Sequence, residues 1–235
     1  MSVNRPLDNS FEALSGGLPA TVGVAVAAAD GVGTTSFGSW STGVAWSTIK
    51  VPLVIAALRA GSDSRDLVAA TITQSDNAAA EQLWCELGNP DEAARQVQAV
   101  IRDGGDTTTV VESRRLRADY TAFGQTQWSL VRQARFAAGL PSIPDASPVV
   151  DLMGNLAPDH RWGLAAKGFA AKAGWGPGMN GGYLVRQFAI LPAESGTTGL
   201  ALAADAHDGV FETGVDVLNT LSDWVIENLA ELTHD

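Results

Sequence analysis

The sequence predicts an α+β fold: an antiparallel sheet of about five strands drawn from both chain ends, flanked by helices, with an all-helical lobe inserted between them. Two observations carry this. Apolar, strand-like segments sit near residues 20–38 and again at 181–204, and helical periodicity fills much of the region between. A third sets the scale: 235 residues, 46% hydrophobic and 17% charged, suit a globular chain with a sizeable core. The expected division is one domain over 1–235, with 1–46 plus 158–235 as the α/β part and 47–157 as the helical part.

"DNSFEALSGGL" reads as a short helix capped by Asp8 or Asn9 and ended by glycines. "ATVGVAVAAADGVGTTSFGSW" reads as two strands joined at Asp30-Gly31, a hairpin signal. Val51, Val54, Ile55 and Leu58 follow a helical period, and Pro52 is tolerable in a first turn. Residues 65–103 look helical throughout, broken at "GNPDE", where Pro90 opens another helix. "DGGDTTTVVESRRLRADYTAFGQ" has no period and predicts a long loop, a common home for function. Helical pattern resumes at "TQWSLVRQARFAAGL" and "ASPVVDLMGNL"; "GGYLVRQFAILP" and "TTGLALAA" then read as adjacent strands. "TGVDVLNTLSDWVIENLAEL" closes the chain as an amphipathic helix.

The net charge of −11, with no run among the 15 Lys and Arg, argues against a nucleic-acid partner. A single cysteine, Cys85, excludes an internal disulfide and is expected as a buried filler on a helix. His160, His207 and His234 stand apart, so neither a zinc site nor any other cofactor is expected. No stretch has the ~18 uninterrupted apolar residues of a membrane span. No signal peptide is visible at the start, and the compartment stays open.

Three short motifs carry candidate chemistry. In "AWSTIKVPLVIAAL", Ser47 and Lys50 are three apart, so on a helix they share a face. A lysine whose pKa is lowered can take the proton from a serine hydroxyl; the plainer alternative is a capping serine beside a surface lysine. In "TITQSDNAAAEQLW", Ser75 could relay a proton and Asn77 could bind a carbonyl, or the tripeptide could simply cap a helix. In "AAKAGWG", Lys172 precedes Ala173-Gly174-Trp175; the alternatives are an inward lysine on a strand that admits a ligand, or a solvated lysine on an edge strand.

Taken together and in this order, the motifs resemble those of the serine β-lactamase and penicillin-recognising DD-peptidase superfamily, with SxxK, SDN and a Lys-x-Gly strand, and the SDN context is similar to class A β-lactamases. The resemblance spans nearly the whole chain. It implies a β-lactamase-like fold and a serine hydrolase acting through an acyl-enzyme on a small-molecule or peptide substrate with an amide, lactam or ester carbonyl. Ser47 would attack, Lys50 would activate it, and Ser75 with Lys172 would complete the proton network and help fix a substrate carboxylate. Asn77 would bind the substrate amide, Gly174 would allow close approach, and the N–H groups of Ser47 and Trp175 would form the oxyanion hole. The family is mostly exported.

Three departures qualify those expectations. The interval from Ser47 to Ser75 is shorter than in class A enzymes, which trims the helical lobe. Ala173 stands where the family has Thr or Ser, removing a hydroxyl that would meet a substrate carboxylate. The ExxLN motif, whose glutamate activates the deacylating water, is missing from the loop. Counting forward along that loop lands on Arg115 and counting back lands near Glu112; Glu112, with Asp119 behind it, is the candidate base, and Glu112→Gln would then prolong an adduct. Acylation without efficient hydrolysis is the expected result, and the alternative function is a non-hydrolysing penicillin-binding or ligand-binding protein. Trp46 and Trp162 are expected in the core and Trp175 in the cleft. Arg161 and Arg186 are expected at the surface, or on a carboxylate.

Overall fold

The computed structural model describes residues 5–28, 33–178, 181–193 and 196–233. The Asp30-Gly31 turn and His234 lie outside them.

A five-stranded antiparallel sheet forms the centre. Its strands are β1 (Ala20–Ala27), β2 (Thr34–Gly38), β5 (Ala170–Pro177), β6 (Tyr183–Ala193) and β7 (Gly196–Ala206), in the order β2-β1-β7-β6-β5. The two chain ends meet where β1 pairs with β7, Ala20 opposite Ala206 and Ala27 opposite Gly199. Between them in sequence, β3 (Thr42–Val44) and β4 (Gln127–Ser129) make a separate two-stranded ribbon.

Residue size alternates with the pleat. Val22, Val24, Leu200 and Leu202 face a core shared with α1 (Arg5–Ser15) and α8 (Phe211–Glu227), where Phe11, Phe37 and Trp224 stack with centroids 5.0–5.6 Å apart. Ala25, Ala27, Ala201 and Ala203 face the other side, which α6 (Leu130–Gly139) covers. Small residues are needed there because the helix backbone comes close: a Cβ on Gly199 would lie 1.9 Å from the carbonyl oxygen of Ala134. With both faces covered, the strands read as nearly continuous apolar runs rather than alternating ones.

The helical lobe is built around α2 (Lys50–Arg59), whose residues 50–57 are all buried. Packed on it are α3 (Arg65–Thr73), α4 (Asn77–Glu86), α5 (Pro90–Asp103) and α7 (Ser147–Met153). Helix α5 starts as expected at Pro90, behind a capping box between Asn89 and Glu92. The short α9 (Leu229–Thr233) ends the described chain, and no helix among the described residues is long and apolar enough to cross a membrane.

Several sequence expectations need correction. Helix α1 is already formed at Arg5, which puts Asp8 in its first turn and Asn9 inside it, so neither is the cap. The helical stretch 65–103 breaks at 74–76 as well as at 87–89, because Ser75 adopts a positive φ of 54°. "QWS" forms a strand rather than the start of a helix. Helix α6 lies on the sheet, not in the lobe with its sequence neighbours. Cys85 is exposed, on the outer side of α4.

Asp106 anchors the start of the long loop. It is 2% exposed and accepts from the N–H groups of Thr108 and Thr109, from both their hydroxyls, and from the Trp128 indole at 2.9 Å. Asp106→Ala leaves the indole and a buried threonine without their acceptor. It is expected to cost about 2 kcal/mol in urea unfolding, and a midpoint equal to wild type would show that the carboxylate does not hold the loop.

Candidate active site

Ser47 is the second residue of a 3₁₀ turn, Trp46–Ile49, whose N-cap is Ala45 and which has no side-chain cap bond. The capping alternative for Ser47 is therefore not met. The serine lines a cavity of about 640 Å³ with Lys50, Ser75, Asn77 and Trp175.

Both lysines are buried, Lys50 at 1% and Lys172 at 2% exposure, so neither is the solvated surface cation of the plainer reading. Lys50 Nζ donates to the Ser75 carbonyl oxygen at 2.5 Å and to Asn77 Oδ1 at 2.7 Å, and lies 3.5 Å from Ser75 Oγ. Lys172 Nζ donates to Ser75 Oγ at 2.8 Å and to the Ala173 carbonyl oxygen at 3.1 Å. Ser75 thus joins two amines that are 122 residues apart in sequence. Burial pulls the Lys50 pKa down to about 7 against an opposing pull from Asp76. Burial, then the neighbouring Lys50, holds Lys172 well below the ordinary lysine range. A neutral amine has two N–H groups and one lone pair. Lys50's two donated bonds use the former and leave the latter free to accept a proton.

In the SDN segment the capping reading is met at the middle residue. Asp76 is the N-cap of α4, accepting from the Ala79 N–H at 2.8 Å. Ser75 and Asn77, on either side of it, turn to the lysines. Strand β5 is the sheet edge, and Gly174 is where it touches the 3₁₀ turn. A Cβ there would come within 2.7 Å of the Ser47 nitrogen, 2.8 Å of the Ala45 oxygen and 2.9 Å of the Thr48 nitrogen. Gly176 repeats the device against the Trp46 ring.

Backbone strain is concentrated here. Three non-glycine residues among those described have positive φ, and two of them are Trp46 (50°) and Ser75 (54°). Strain of this kind costs about 1–3 kcal/mol per residue and persists only where the surroundings enforce it. Buried polar groups do the enforcing. Thr48 Oγ1 donates to the Ala45 oxygen at 2.6 Å and accepts from Gln133 Nε2 at 2.9 Å. Gln133 Oε1 in turn accepts from Arg186, which also donates to the carbonyls of Gly43, Val44 and Trp128. Arg186 is therefore wholly buried, contrary to the surface or carboxylate roles expected of it, and burial lowers its pKa to about 9. Arg161 is exposed, as expected of it, and donates from Nε to the Leu156 carbonyl oxygen.

The long loop forms one wall of the cavity through Arg115 and Asp119, which the sequence singled out, and through Tyr120, Thr121, Phe123 and Gly124, which it did not. The side chain of Gln125 accepts from the Arg117 N–H and donates to the carbonyls of Arg117, Tyr120 and Thr121. The Arg117 guanidinium lies 4.9 Å from the Trp46 ring and 4.7 Å from the Tyr120 ring, and donates to Pro177 O at the end of β5. Arg115 and Asp119 reach the cavity, with Arg115 paired to Glu81 at 2.7 Å. Glu112 is not among the lining residues. Its carboxylate accepts from Nε and the backbone N–H of Arg114, and that side-chain bond holds its pKa below the ordinary value. Trp46 is both core and cavity wall, Trp162 is core, and Trp175 lines the cavity with His160 5.3 Å behind it. Burial, then Lys172, lowers the His160 pKa.

The fold is β-lactamase-like. No family model matches the chain, and no curated protein matches it in sequence. The likeness is in three dimensions. A class A β-lactamase from Bacteroides cellulosilyticus aligns with a TM-score of 0.75 at 15% identity, over 96% of this chain and 97% of that one. A β-lactamase from Chitinophaga pinensis gives 0.73 at 14%, over 95% and 100%. The protein PBP-A gives 0.70 at 17%, over 97% of each.

Proposed function

We propose that this chain is an acyl-transferring serine enzyme with Ser47 as nucleophile. The observation that carries the reading is that Ser75, at the wall of the cavity that Ser47 lines, bridges two buried amines. In the reaction, Ser47 Oγ bonds to the carbonyl carbon of an amide, lactam or ester, and its proton passes to the lone pair of Lys50. The oxyanion faces the N–H groups of Ser47 and Trp175, which the Gly174 contact holds near each other. As the tetrahedral intermediate collapses, the bond to the leaving group breaks. The leaving atom takes the Ser75 proton, and Lys50 restores it. Lys172 orients the Ser75 hydroxyl, and Asn77 binds the substrate amide while holding Lys50.

Turnover is slow in this reading, because Glu112 is committed to Arg114 and away from the cavity. Glu112→Gln is accordingly expected to leave the lifetime of an acyl adduct unchanged. A longer lifetime in time-resolved intact mass would return Glu112 to the reaction.

The test of the function is covalent labelling. The protein is incubated with a fluorophosphonate and with benzylpenicillin, followed by intact mass and digested for peptide mapping. One adduct on the peptide carrying Ser47, decaying slowly for the penicillin, is the expected result. A penicillin adduct that never decays favours a penicillin-binding protein over a hydrolase. No adduct, or one mapping elsewhere, ends the assignment.

A further inference from the structure

The cations around the cavity are either buried or already engaged. Lys172 is buried, bonded to Ser75 Oγ and the Ala173 carbonyl, and absent from the lining. Lys50 donates to Ser75 and Asn77. Arg115 is bound to the Glu81 carboxylate, with the Tyr120 carbonyl behind it. Arg117 is stacked between two rings and donates to Pro177 O, its unpartnered Nη2 being buried, and Arg186 is wholly buried. Ala173 adds only a methyl group beside Lys172.

The remaining lining points the other way in charge. Its acids are Glu81 and Asp119, and Asp119 is an exposed carboxylate with no hydrogen-bond partner among the described residues. A substrate carboxylate would lose water here and find no lining cation without an internal partner, which is costly. The walls offer apolar surface instead. Trp46, Tyr120, Phe123, Trp175 and Tyr183 all line the cavity, and aromatic walls reward an aromatic ligand through both area and ring geometry.

Resting on the acyl-transfer reading above, we infer that the cavity takes neutral esters or amides with an aromatic acyl group and disfavours substrates that carry a carboxylate beside the scissile carbonyl. Lys172 is then a proton-network residue, with no part in anchoring an anion.

Two matched pairs test this in the wild-type chain. Benzylpenicillin is compared with its methyl ester, and p-nitrophenyl phenylacetate with p-nitrophenyl acetate. Second-order rate constants for acylation at Ser47 are divided by each compound's rate of alkaline hydrolysis. The methyl ester is expected to acylate about tenfold faster than the free acid, a modest effect for an unpaired carboxylate losing water. The phenylacetate is expected to exceed the acetate by about tenfold, from burial of one ring. A free acid as fast as its ester, or an acetate as fast as the phenylacetate, overturns the inference and leaves the acyl-transfer reading intact. No acylation by any of the four overturns that reading, and this inference with it.

Discussion

Lys50→Met is expected to slow acylation of Ser47 by about 10²–10⁴, the usual contribution of a positioned general base. Methionine matches the lysine stem in length and keeps α2 packed, so the loss reports the amine rather than a cavity. The substitution has a second signature. The folded pKa of Lys50, about 7, lies below its ordinary 10.5, so between those values the unfolded chain holds the proton that the folded chain has released. Folding stability from this group therefore rises as pH climbs from about 7 to 10.5, and below 7 the charged amine is buried at a cost. Lys50→Met removes that cost, so the variant is expected to resist urea better than wild type at pH 7 while acylating far more slowly. A variant that is both weaker and slower would mean the side chain is structural. Wild-type acylation is expected to rise with pH through a midpoint near 7. Asp76→Asn should move that midpoint to lower pH, because the Asp76 carboxylate favours the ammonium form and asparagine still caps α4. A flat profile from pH 5.5 to 9 would remove Lys50 from the proton path.

The residues that line the cavity or lie just behind its wall were legible in the sequence where type and spacing mark them. Ser47 and Lys50 are close in sequence, Ser75 and Asn77 flank a capping aspartate, and Lys172 stands before a glycine on a strand. The sheet was legible as well, since strands covered on both faces leave long apolar runs. What failed to show was set by tertiary partners without local period. Gln125 organises residues 117–121 through four bonds, yet nothing around it distinguishes it from any loop glutamine. Arg186 looks like a surface charge until β3 and β4 close over it with backbone carbonyls. Counting along the loop put Glu112 near the site because a count cannot see that Arg114, two residues on, captures the carboxylate. Cys85 was misplaced for the same reason. Helix α4 turns Ala80, Leu83 and Trp84 inward, and the cysteine is left outside.

Gly174→Ala is expected to lower acylation by about 10²-fold while the chain still folds. The added methyl group would meet three backbone atoms, of Ala45, Ser47 and Thr48, at 2.7–2.9 Å, closer than Cβ atoms come to anything. Backbone cannot rotate aside as a side-chain tip can. Relief requires β5 and the 3₁₀ turn to separate, by several tenths of an ångström or more. Strand β5 is free to give on its outer side, being the sheet edge, but the turn is held by Thr48, Gln133 and Arg186. The displacement therefore falls mainly on the strand that carries Trp175, pulling its N–H away from that of Ser47. Displacements approaching 1 Å at a reacting centre cost about 10² in rate, and overpacking a tight contact costs about 1–3 kcal/mol in stability. A comparison with Gly168→Ala separates the two effects. That glycine has open space around its missing Cβ but a φ of +86°, so its substitution strains the backbone before β5 without crowding Ser47. It should cost stability and spare acylation. Equal acylation rates for Gly174→Ala and wild type would mean that the contact between strand and turn does not position the reacting atoms.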